Sequence, residues 1–194
     1  MQDKRIQNFR ENIKYVLKLV DFQFLNNKKD SLLIGYYDMY IEHAFSILIL
    51  IENNLIGSAF TLIRPSFEAF IRGHYSTILN ENQIKRFENG KNTFPSMGKM
   101  TQKIDELFCE EINYFQIIKK NGWVAMNDYT HGGMRQILRR FDNEGDLINT
   151  YTNEEIDEVL NNLEIQFLLF SYTIAHYFKC NKKDKIRNLL IEKV

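Results

Sequence analysis

The run TLIRPSFEAFIRGHY, residues 61–75, sets two arginines and a glutamate among Leu, Ile and Phe. A helix advances about 100° per residue, so Arg64, Glu68 and Arg72, four apart, line one edge of it, with Thr61 and Tyr75 close by. Phe60, Ile63, Phe67, Phe70, Ile71 and Ile78 fill the neighbouring arc, and His74 projects into its middle. The charges therefore flank a core instead of facing away from it. Pro65 removes a backbone donor and frees the carbonyl of Thr61, which predicts a kink beside Arg64 and a small polar cavity at the bend. Two readings of this edge stand side by side. In one, Glu68 bridges the arginines, or they reach Asp38, Glu42 or Glu52 of the preceding apolar segment, as a structural ion-pair network. In the other, two planar guanidinium forks converge on a phosphate or a carboxylate. His74 reads as a satisfied core histidine.

A second constellation is NDYTHGGMRQ, residues 127–136. Thr130 reads as an N-cap, followed by His131, Gly132, Gly133 and a helix carrying Arg135 and Arg139. Glycine inside a helix costs roughly 1 kcal/mol, so a pair implies close approach of something. Another helix would serve. So would a ligand, because the N–H groups and dipole at a helix N-terminus favour an anion. His131, Arg135 and Arg139 are spaced by four. If their face met Arg64 and Arg72, the site would hold several cations and an imidazole able to move a proton near neutral pH. That set suits binding or cleaving a phosphodiester. In it, Arg72 and His131 are the candidate catalytic residues, and Arg64, Glu68, Tyr129, Gly132, Gly133 and Arg135 the candidate ligand-binding residues. An ordinary structural network would have the same composition.

Other chemistries leave no pattern. The chain has no Gly-rich phosphate loop, no G-x-G-x-x-G, no H-E-x-x-H and no G-x-S-x-G. The histidines at 43, 74, 131 and 176 share no metal-ligand spacing, and the pairs Glu110–Glu111 and Glu154–Glu155 read as solvated faces or caps. No metal and no cofactor is expected. Cys109 and Cys180 lie far apart, without paired Cys spacing, and read as reduced thiols of a cytoplasmic protein.

The elements that must position these residues are helices. Two prolines and nine glycines interrupt 194 residues, and apolar residues recur at three and four spacing. One all-α domain over residues 1–194 is expected, an up-and-down bundle of about six or seven helices. The first helix reads from Lys4 to Asn26, with Ile6, Phe9, Ile13, Val16, Leu17 and Val20 on one stripe. Asp30 or Ser31 caps a second helix ending near Asn53, and a third covers Leu55 to Leu79. A short charged helix, ENQIKRFEN, precedes the loop GKNTFPSMGK, and Thr101 to Lys120 is amphipathic again. A surface turn, DNEGDLINTYT, follows the double glycine; TNEE then caps a long helix to about Lys179, and a basic tail closes the chain. Phe45, Phe60, Phe67, Phe70, Phe167 and Phe170 fall at core spacing.

Charge excludes some partners. The 25 basic residues balance 25 acidic ones, so no global field draws the chain to nucleic acid or an anionic membrane. The N-terminal residues lack the apolar region of a signal peptide. The longest apolar run, AFSILILI, is far short of the roughly 20 residues of a membrane span and reads as buried helix.

Together RPSFEAFIRGHY, NGW and YTHGGMRQILRR resemble a family of uncharacterised bacterial proteins. Its pattern is an Arg-Pro-x-x-Glu-x-x-x-Arg helix, a later tryptophan and a His-Gly turn followed by arginines. The resemblance covers roughly Ile56 to Arg140 and maps onto Arg64, Glu68, Arg72, Trp123, His131 and Arg135 or Arg139. It implies an all-helical protein with no established activity. More distantly it resembles the HEPN-type bundles of bacterial toxin–antitoxin, abortive-infection and phage-defence systems. Many of those are dimeric, metal-independent ribonucleases with an Arg and a His four to six residues apart on one helix. That spacing is absent here, since no histidine has an arginine five to seven positions before it. A nuclease site would need different helices, for instance Arg72 with His131. The resemblance thus implies a sensor or partner-binding module with an Arg/His anion site, or alternatively such a ribonuclease. It further implies a homodimer, with RNA, a nucleotide-like anion or a protein as partner.

Overall fold

The structure is a computed structural model describing residues 2–20, 27–108 and 113–193. Among the described residues it holds ten helices: α1 (Gln2–Leu19), α2 (Lys28–Glu52), α3 (Ile56–Thr61), α4 (Ile63–Ser76), α5 (Glu81–Glu88), α6 (Met97–Phe108), α7 (Tyr114–Thr130), α8 (Met134–Leu138), α9 (Asn153–Tyr177) and α10 (Lys183–Ile191). The turn after α8 adds one isolated antiparallel bridge, Phe141 to Leu147. Expectations for residues 21–26, for Cys109 and for Glu110 and Glu111 lie outside the described residues.

More helices form than periodicity predicts, because local chemistry cuts long segments. The segment holding the arginines breaks at Leu62 into α3 and α4, which leaves Pro65 in the first turn of α4, where no intrahelical donor is needed. The amphipathic stretch from Thr101 to Lys120 contains the end of α6 and the start of α7. The buried Asp105 carboxylate accepts the N–H groups of Phe115 and Gln116, each at 2.9 Å, and so caps α7 from α6. The basic tail folds as α10. Asn27 caps α2 by accepting the N–H of Asp30 at 3.0 Å, so Asp30 and Ser31 lie inside the helix. Thr152 and Glu155 form the expected reciprocal box at the start of α9.

Side-chain contacts fix the directions. Lys29 at the start of α2 donates to Thr77 O just beyond α4, and Tyr177 at the end of α9 donates to Asp30 near the start of α2. Hence α2 runs antiparallel to α4 and α9. Arg5 and Asn12 of α1 reach Asp157 and Glu164 of α9, making those two parallel. The core between them is ring-rich. Phe70 packs against Tyr40, Phe67, His74, Phe115 and Phe170. Gly73 is needed there, because a Cβ would fall on the Phe170 ring. His74 is enclosed as expected: its two nitrogens face Phe70 O at 2.8 Å and the Thr173 hydroxyl at 3.0 Å. Burial drives its pKa down to about 4, against the opposing pull of the Phe70 carbonyl. The apolar run of α2 buries Ala44, Ile47, Leu48 and Ile51. Among the described residues no helix is long and apolar enough to cross a membrane.

Candidate functional site

The charged edge of α4 forms a continuous row. Arg64 Nε donates to Glu68 Oε1 and Arg72 Nη2 to Glu68 Oε2, both at 2.9 Å. The carboxylate thus joins both guanidiniums, and Glu52, an alternative partner by sequence, pairs instead with Arg10. The row continues onto the next element. Arg64 Nη1 lies 2.8 Å from His131 Nε2, and its guanidinium sits 5.1 Å from the centroid of the Trp123 ring on α7. Because arginine only donates, the facing nitrogen of His131 must accept, which places the ring proton of a neutral imidazole on Nδ1. The two sequence constellations therefore meet. Arg64 is mostly covered, with 23% of its side chain exposed, whereas Arg72 keeps 39% and His131 is exposed. Arg72 also reaches the field of Tyr36 on α2: burial raises the pKa of that phenol, and the guanidinium opposes the rise.

Proline makes the junction, though by a different route from a polar cavity. Thr61 O, which Pro65 cannot engage, accepts the Thr130 hydroxyl at 3.3 Å. Thr130 is therefore not the N-cap of a following helix; it ends α7, with its hydroxyl also directed at Met126 O.

The double glycine has a use in backbone geometry. Gly132 has φ of +64°, the left-handed conformation that ends α7, where a Cβ is disfavoured. Gly133 leaves room for the Asp128 side chain, whose carboxylate a Cβ would strike. That carboxylate accepts Arg135 N at 2.6 Å and occupies the start of α8. The expected anion position there is thus taken by the chain's own carboxylate. Asp128 was legible only as an Asp a few residues before a Gly-Gly pair.

The remaining expected residues face elsewhere. His131 lies outside α8, so it shares no helix face with Arg135 and Arg139. Tyr129, Arg135 and Arg139 instead line a cavity of about 820 Å³ between α7, α8 and α9, whose lining does not include Arg64, Glu68, Arg72 or His131. Arg139 is held by Glu155 and by Thr150 O, and lies over the Tyr151 ring. Arg72 and His131, the expected catalytic pair, share no direct contact and are joined through Glu68 and Arg64. Among the described residues no group of three or more His, Cys, Asp or Glu is placed to hold a metal ion.

An all-helical bundle bearing an arginine–glutamate–arginine–histidine row is the class that fold and site define. The chain belongs to a family of unknown function, DUF6988, whose model matches residues 37–183 and so takes in every residue of the row. No curated protein and no solved structure matches the chain.

Proposed function

We propose that the protein is a non-enzymatic binding module that receives a small phosphate- or carboxylate-bearing ligand on the row Arg64, Arg72 and His131. The observation that carries this reading is the 2.8 Å approach of Arg64 to His131 from a different helix, on a face where Arg72 and the imidazole reach solvent. Two guanidiniums against one carboxylate leave a net positive patch, and the ligand would compete with Glu68 for both forks. By resemblance to HEPN-type proteins, the module would work as a homodimer in the bacterial cytoplasm, sensing a ligand or partner in a defence or toxin–antitoxin system. The ribonuclease alternative draws support from one feature, the exposed imidazole beside a fixed guanidinium, which could shuttle a proton while Arg64 and Arg72 hold a phosphodiester.

The test titrates inorganic phosphate and a mononucleotide into the protein while following the His131 ring by NMR, then incubates the protein with total RNA. Binding that weakens about tenfold in Arg72→Ala and His131→Ala and tightens in Glu68→Gln supports the module. RNA cleavage lost in both alanine variants moves the assignment to the nuclease. If neither anion perturbs His131 and RNA stays intact, the row is structural.

A further inference from the structure

The arm formed by α8 and the bridged turn after it collects exposed apolar side chains. Between Met134 and Ile148 six large ones are 43–76% exposed, whereas elsewhere among the described residues such side chains occur no more than two to an element. One side of α8 is docked: Gln136 Nε2 donates to Gly57 O at 3.3 Å, and the Arg140 guanidinium lies where a Cβ on Gly57 would fall. At about 100° per residue, Met134 and Leu138 stand on the opposite side, with Ile137 beside them. Beyond α8 the backbone doubles back. Asp142 N donates to Asp146 O at 3.1 Å and Ile148 N to Arg140 O at 2.8 Å, so the bridged residues Phe141 and Leu147 between them share no hydrogen bond of their own. That is the closer of the two antiparallel pairings, and it sets the two side chains next to each other on one face. The apolar stripe of α8 thus continues into the turn. Soluble monomers rarely leave contiguous apolar patches of more than a few hundred Å² uncovered.

The charges along the arm indicate what covers it. Arg135 stands at its start and Glu144 and Asp146 at the tip of its turn, all three exposed and without an ion pair among the described residues. With Arg139, Arg140 and Asp142, the arm carries three charges of each sign, which offers no net attraction to an anionic membrane or to nucleic acid. A surface that is positive at one end, negative at the other and apolar between complements itself when turned about a two-fold axis, as an isologous contact requires.

We propose that a second copy of this chain covers the arm. In a two-fold dimer the stripe of Met134, Leu138, Phe141 and Leu147 packs against its own image, and Arg135 meets Glu144 and Asp146 of the partner subunit. The resemblance to HEPN-type proteins implies a homodimer but no surface for it; the arm supplies one on its own residues, independently of the anion row.

Sedimentation over about a hundredfold range of concentration should show the mass rising from the 23.2 kDa of one chain toward twice that value. Leu138→Asp should weaken association at least about tenfold, and Leu147→Asp, at the more exposed position, carries the same test if the first variant loses its helical circular dichroism. Arg135→Glu in one variant, and Glu144→Arg with Asp146→Arg in another, should each weaken it comparably by setting like charges opposite one another. Mixed in equal amounts, these two charge variants should associate again, because each then meets the opposite sign in its partner. A chain that stays monomeric throughout, association that survives an aspartate in a folded variant, or charge variants that do not recombine on mixing overturns the proposal. Phosphate plays no part in this readout, so failure of the anion row and failure of this interface are told apart.

Discussion

Arg64 touches three groups, Glu68, His131 and the Trp123 ring, and shares its carboxylate partner with Arg72. Ion pairs of this partly exposed kind contribute about 0.2–1 kcal/mol each, and Glu68 makes two of them, so Glu68→Gln should lower the unfolding free energy by no more than about 2 kcal/mol in a urea titration. A loss of several kcal/mol would show that the row is primarily structural. His74 is the opposite case, a titratable group with no access to solvent. Unfolded, its imidazole titrates near 6.5; folded, it is held at about 4. Above pH 6.5 both states are neutral and the full benefit of burial is present. Between 6.5 and 4 the unfolded chain takes up a proton that the folded chain refuses, so stability falls, by about 3 kcal/mol for this group. Urea midpoints measured across that window should decline in the wild type and decline less in His74→Gln.

At the scale of elements, carboxylates set the boundaries around the site. Asp105 reaches from α6 to cap α7, and Asp128 reaches from α7 to cap α8. The first is buried and accepts two backbone donors, so Asp105→Ala should destabilise the protein by about 2 kcal/mol in thermal or urea unfolding. The second is partly exposed and caps a single short turn. Asp128→Ala should cost about 1 kcal/mol and raise hydrogen exchange at the start of α8, without displacing His131 from Arg64, because α7 is docked by Thr130 on Thr61. Exchange that rises equally across α7 and α8 would mean the two helices open as one unit.

Across the whole molecule, α4 couples the core to the row. Its inner face carries Phe67, Phe70, Gly73 and His74, and its edge carries Arg64, Glu68 and Arg72. The approach of α4 to α9 is close enough that Phe170 occupies the space of a Gly73 side chain. Gly73→Ala therefore gains helix propensity yet should still lower stability by about 1–3 kcal/mol, since the Phe170 ring is boxed in by Tyr37, Tyr40, Phe70 and His74. A neutral or stabilising result would show that the ring moves freely.

The class of the fold, the core rings, the edge shared by Arg64, Glu68 and Arg72, and the enclosure of His74 can all be read from the order of residues. These follow from helical periodicity, which is a local property of the chain. Capping was partly legible, as at Thr152, and partly displaced, as at Asn27, because several polar residues compete for one helix end. That His131 meets Arg64 while Tyr129 and Arg135 turn to another cavity emerges from packing alone. That choice depends on how α7 rotates against α4 once Thr130 satisfies the carbonyl that Pro65 frees.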